Sequence, residues 1–204
     1  MIVGGWYFGR KTMSTSLRWT SADLEVMPED GKRREIIDGE LYVSTQPTLV
    51  HQSVCSDTLL VLQNWSDSTG LGRAFFAPGV IFADDDDVAP DVVWMSHERL
   101  AEAVDAAGHL RIPPELVVEV LSPGAKNEHR DLEAKLKLYS RRGIGEYWVP
   151  DWRTQTVRVY RRTGEILELT MTLGATGTLS SPFLPGFSTP VAFLFRFVGI
   201  VRPR

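Results

Sequence analysis

Along this chain, apolar residues gather in short runs bounded by Gly, Pro and Asp, the pattern of buried strands, broken by longer stretches with helical spacing. The clearest strand runs from Glu115 to Leu121, apolar except at Glu115 and Glu119, and stops at Ser122-Pro123-Gly124. Val80 to Ala83, Val88 to Met95, Ile144 to Val149 and Ile166 to Thr170 read the same way, and Thr156 to Tyr160 alternates as a strand with one solvated face does. Arg34 to Val43 forms two strand-like runs about Asp38-Gly39, a strong hairpin signal. Four helices are expected. A short one follows Thr20-Ser21 and ends at Pro28; a long amphipathic one spans Thr48 to about Trp65, with Leu49, Cys55, Leu59, Leu62 and Trp65 on one face. An alanine-rich surface helix runs from His97 to about Ala107, and another from Glu128 to Arg142 carries Leu132, Leu136 and Tyr139 inward before Gly143. Val191 to Phe197 is expected to cover the sheet as a terminal helix or strand.

Two residues violate this pattern. Glu119 places a carboxylate in an apolar run, where burial is costly unless a cation, a hydrogen bond or a raised pKa compensates. Asp91, after Pro90, repeats the anomaly in a second apolar run. Lys135 lies on the inward side of the helix that follows Glu119, spaced by four from Asp131 and Tyr139. Either Glu119 forms a buried salt bridge with Lys135, or Asp91 and Glu119 make a divalent-metal site with the lysine beside it. His51 falls near the inward face at the start of the long helix, as a core-edge histidine or as part of such a site. Tyr139 is expected to pack. The consecutive Asp84 to Asp87 lack calcium-loop spacing and are expected to form an exposed turn.

Composition narrows the class. The 204 residues, 43% hydrophobic and 24% charged, suit one globular domain with a full core, expected over residues 16–204. Residues 1–15, without an uninterrupted apolar run, are expected to be a loose tail, neither signal peptide nor membrane span, with Met13 as an alternative start. One cysteine excludes an intramolecular disulfide framework and points to a reducing, cytoplasmic setting. A net charge of -4 argues against non-specific coating of nucleic acid. The basic clusters Lys32-Arg33-Arg34, Lys126 to Arg142 and Arg158 to Arg162 are solvated faces unless they form a local binding surface.

Taken in order, Glu35-Ile36-Ile37-Asp38-Gly39-Glu40-Leu41, His51, Pro90-Asp91-Val92-Val93, Leu116 to Pro123, Lys135 with Tyr139, and Gly143 to Trp148 resemble the Uma-type restriction endonuclease family of the PD-(D/E)XK nuclease superfamily. The resemblance runs from about Trp19 to Phe195 and implies an α+β restriction-endonuclease-like core, a mixed four- or five-stranded sheet flanked by helices. It implies Asp91 and Glu119 as ligands of Mg2+ or Mn2+, Lys135 as the third catalytic residue, and Glu40 and His51 as supporting residues. Two positions depart from the pattern. Leu121 stands where the superfamily lysine would, so that role passes to Lys135, and Gly145 stands where the family more often has proline.

The function expected from these residues is metal-dependent hydrolysis of DNA phosphodiester bonds, by a homodimer if both strands are cut. The alternative is a catalytically inactive nuclease fold that binds nucleic acid or a protein partner.

Overall fold

The local signals near the N-terminus act as chemistry requires. In a computed structural model, which describes residues 17–198 and 200, the Asp23 carboxylate accepts bonds of 2.8 Å from both the amide and the hydroxyl of Thr20, capping α1 (Ser21–Glu25). The tail expected over residues 1–15 lies outside the described residues. Strands β1 (Arg33–Ile37) and β2 (Glu40–Ser44) turn on Asp38 and Gly39 at φ 54° and 76°, the two left-handed residues a tight hairpin needs. Thr48 caps α2 (Leu49–Thr69), accepting from the His51 amide at 3.2 Å, and Gly70 ends it in the left-handed region at φ 68°.

The chain then forms β3 (Gly72–Phe76), β4 (Val80–Ala83), β5 (Asp86–Val88), β6 (Val92–Ser96), α3 (His97–Ala103) and β7 (Leu116–Val118). One helical passage follows, made of α4 (Ala125–His129), a π-helical turn (Arg130–Ala134) and α5 (Lys135–Arg141). Strands β8 (Glu146–Asp151), β9 (Thr156–Thr163), β10 (Ile166–Leu173), β11 (Thr178–Leu179) and β12 (Thr189–Pro190) lead to α6 (Val191–Leu194).

The fold is α+β, with a mixed central sheet of six strands in the order β10-β9-β8-β7-β6-β3. Only β7 and β8 are parallel, because the helical passage between them is the crossover a parallel pair requires. The hairpin β1-β2 belongs to a separate four-stranded sheet, β2-β1-β5-β4, and β11 pairs with β12. Strict alternation along the central strands sorts the core onto two faces. Val92, Trp94, Val118 and Trp148 meet Val54, Cys55 and Leu62 of α2 with Leu194 of α6. Val93, Val117, Tyr147 and Val149 meet Leu138 and Tyr139 of α5. Among the described residues no helix is long and apolar enough to cross a membrane.

Three expectations need correction. The sheet has six strands, not four or five, because β3 adds an edge; a β-carbon on Gly72 would stand 2.2 Å from the Met95 carbonyl oxygen, so only glycine lets the strands approach there. The acidic run is only partly an exposed turn. Asp86 begins β5 and is fully buried, with Arg141 Nη2 at 2.8 Å, Arg142 on the same oxygen, and the Asp38 amide at 2.7 Å on the other. Finally, α3 stops at Ala103, short of Ala107, because the Asp105 carboxylate draws the Ala107 and His109 amides out of the helix.

Candidate functional site

Register brings the two anomalous carboxylates together. Strand β6 pairs antiparallel with β7, Val92 opposite Val118, so one step further Asp91 faces Glu119 on the α5 side of the sheet. There β6 has ended, but the other strand continues along β8: the amides of Glu119 and Leu121 donate to Trp148 O at 3.0 Å and Pro150 O at 2.8 Å. The Val120 amide lies between them with no strand partner on its other side, and donates to Asp91 Oδ2 at 2.8 Å. The end of a strand thus becomes the mount for a carboxylate.

Glu119 is 2% exposed, and Lys135, at the start of α5, is 1% exposed. Lys135 Nζ donates to Glu119 Oε1 at 2.8 Å and to Glu35 Oε1 at 2.9 Å, and Tyr139, one turn on, donates its hydroxyl to Glu119 Oε1 at 2.6 Å. Tyr139 therefore packs and also serves as a polar partner of the site. Asp91 Oδ1 accepts from Arg33 Nη1 at 3.1 Å, and its Oδ2 lies 3.3 Å from His51 Nε2. Arg33, Glu35, His51, Asp91, Glu119 and Lys135 line a cleft of about 330 Å³ with Ser122, Asn127 and Arg130, and Tyr139 stands behind it.

Glu40 does not join them. The hairpin register pairs Glu35 with Tyr42 and Ile37 with Glu40, which leaves Glu40 exposed at the turn end, where it accepts from Tyr42 and lines a different cleft of about 660 Å³. The hairpin's carboxylate in the site is Glu35. Arg33 and Arg130 stood out only as members of basic clusters, and Glu35 only within a motif, because a charged segment reads as solvated. Glu35 did carry a signal: it precedes Ile36-Ile37 at the start of a strand, where a buried position is expected.

Arg130 and Lys135 both reach the cleft although five residues separate them. Five residues advance a regular α-helix by about 500°, leaving the two on different faces. In the π-helical turn the Lys135 amide bonds to Arg130 O, and this wider turn carries the fifth residue back over the first.

With Arg130 paired to Asp131, three carboxylates here share the cations Arg33 and Lys135, and burial together with these charges sets their protonation. Burial raises the Glu119 carboxyl, Lys135 opposes the rise, and the nearby charges of Asp91 and Glu35 reinforce it, so that it stands at about 7. Burial also works against ionised Asp91, but the His51 bond and the Arg33 and Lys135 charges outweigh it and hold that carboxyl below the usual range. Glu35 is likewise lowered, Lys135 and Arg33 overcoming its burial.

Two sets of side chains here could hold a metal ion. Asp91 and Glu119 offer the hard carboxylate oxygens that Mg2+ or Mn2+ takes, in a cluster whose surplus of negative charge a cation would offset. A second set, His51, Cys55 and Asp91, brings nitrogen, sulfur and oxygen within 4.8 Å of one another. It suits a softer ion less well than its geometry suggests, because burial pushes the Cys55 thiol far up and a thiol must ionise to ligate.

The crystal structure of a putative nuclease belonging to DUF820 from Anabaena variabilis ATCC 29413 superposes with a TM-score of 0.71 at 20% identity, over 88% of this chain and 98% of that one. The chain therefore has that protein's fold. The Uma2 family, described as putative restriction endonuclease, matches residues 21–192, and the chain belongs to it. No curated protein matches.

Proposed function

We propose that the protein is a metal-dependent endonuclease that hydrolyses phosphodiester bonds in DNA. The observation that carries this reading is the Lys135 ammonium, 2.8 Å from Glu119 in the cleft that Asp91 also lines. Asp91 and Glu119 would hold Mg2+ or Mn2+, which when bound polarises a phosphoryl oxygen and lowers the pKa of water. Lys135 supplies fixed positive charge toward oxygens that become more negative as the bond to phosphorus breaks. Tyr139 holds the Glu119 carboxylate in one orientation, and His51 does the same for Asp91. DNA as substrate is supported by the family's description, and a cytoplasmic setting by the free, buried Cys55.

The test uses supercoiled and linear plasmid with the purified protein in Mg2+ or Mn2+. Cleavage is expected, with loss in EDTA and in the Asp91→Ala and Glu119→Ala variants. A wild type that leaves both substrates intact, or cleavage that survives Glu119→Ala, overturns the reading.

A further inference from the structure

Arg33 enters the cleft from β1 with only one edge of its guanidinium engaged. Nη1 donates to Asp91 Oδ1 at 3.1 Å, while Nε and Nη2 are buried and make no hydrogen bond among the described residues; Nη2 lies 3.6 Å from Glu35 Oε1, an ion pair too long for a hydrogen bond. A buried donor left without a partner is destabilising; among the described residues the only other side-chain donor in that condition is Trp152 Nε1, and the only such acceptor is Asp57 Oδ2. Neither of those residues lines the cleft. As a counter-charge Arg33 serves Asp91 through Nη1 and Glu35 across 3.6 Å, and neither role needs hydrogen bonds from Nε and Nη2. Its unused edge is a two-donor fork matched in spacing to two oxygens of a phosphate.

Arg130 stands in the same cleft, and its Nε and Nη2 are spent on Asp131 at 2.7 and 3.3 Å. Its Nη1 makes no hydrogen bond among the described residues. The π-helical turn is what lets Arg130 share the cleft with Lys135, and such turns concentrate at functional sites.

We propose that Arg33 and Arg130 seat the backbone phosphate of the nucleic acid, Arg33 through its Nε–Nη2 fork and Arg130 through Nη1. This rests on the nuclease reading and adds which groups hold the substrate. It also answers an electrostatic difficulty, since a cleft rich in carboxylates repels a polyanion unless cations with free donors meet it.

The experiment measures binding of a labelled DNA duplex over a salt series in Ca2+, a hard cation that takes the same oxygen ligands, and cleavage rates in Mg2+. Arg33→Gln and Arg130→Gln should each reduce the slope of log affinity against log salt by about one, the signature of one lost phosphate contact. A purely structural role would not move that slope. Arg33→Lys keeps the charge beside Asp91 and so should fold; it should still lower kcat/KM by about tenfold or more, because an ammonium cannot reproduce the fork. Arg73→Ala, on edge strand β3 opposite Met95 and outside the cleft, should match the wild type. Wild-type slope in both glutamine variants, or wild-type kcat/KM in Arg33→Lys, overturns the proposal while leaving the nuclease reading intact. A wild type that neither binds nor cleaves overturns both, and is seen before any variant is made.

Discussion

Lys135 is the residue on which the buried charges depend. With its ammonium shared between Glu35 and Glu119, replacement by methionine keeps the bulk and leaves two buried carboxylates facing each other. Removing one partner of a buried pair costs about 3–5 kcal/mol, so Lys135→Met should lose that much in urea denaturation; a loss below about 1 kcal/mol would mean that solvent, not the lysine, stabilises the carboxylates. Tyr139→Phe is milder. The ring still packs edge-on against Tyr147, with centroids 5.1 Å apart, and only the 2.6 Å bond to Glu119 disappears. A hydrogen bond to a charged group contributes about 1.5–3 kcal/mol. The variant should therefore fall between the wild type and Lys135→Met in the same titration, and an equal or larger loss than Lys135→Met contradicts this ordering. Cys55 gives a third expectation at this scale. Fully buried, with its thiol pushed up by burial and by the Asp91 charge, it should resist alkylation in the native protein and react once urea unfolds the chain. Rapid native labelling would show that the floor of the site opens.

Among the elements, α3 shows how a local side chain overrides composition. His97 to Ala107 is rich in helix formers, yet the helix ends at Ala103 because the Asp105 carboxylate captures the amides of Ala107 and His109 at 3.0 and 2.9 Å and Arg111 Nε at 2.6 Å. The His109 amide bond and the Arg111 bond hold this carboxyl at about 2, below its ordinary 3.8. A depressed carboxyl stabilises fully above its unfolded value, and its contribution is lost as pH falls through the folded one. Asp105→Asn should thus be less stable than the wild type at neutral pH, and the gap should close as pH falls from 3.8 to about 2. A gap unchanged by acid would show that the charge plays no part. Elements with strong internal signals, such as the Asp38-Gly39 hairpin and α2, were legible. Strand β3 was not, because Gly72-Arg73-Ala74-Phe75-Phe76 has no periodicity of its own and is defined by pairing with β6. The same limit hid Asp86, one of four identical neighbours, which is set apart by the arginines at the end of α5 and by the Asp38 amide.

For the whole molecule, what the sequence disclosed about the site followed cost. Asp91 and Glu119 stood out because a carboxylate in an apolar run demands compensation. Arg33, Glu35 and Arg130 did not, because charged residues in charged surroundings demand none until tertiary structure buries them. The assembled chain presents one cleft with one Asp91, one Glu119 and one Lys135, and a single such cleft can act on one strand at a time. The strands of a duplex run antiparallel, so cutting both in one encounter requires a second cleft related by a twofold axis, the symmetry most common among homo-oligomers. Under the nuclease reading, supercoiled plasmid should pass through a nicked circle at low protein concentration, and linear product should form directly once two copies associate. Sedimentation at the same concentrations, with DNA present, tells whether the change in product follows association. Linear product arising without a nicked intermediate where sedimentation finds only single copies on the DNA would remove the need for a pair.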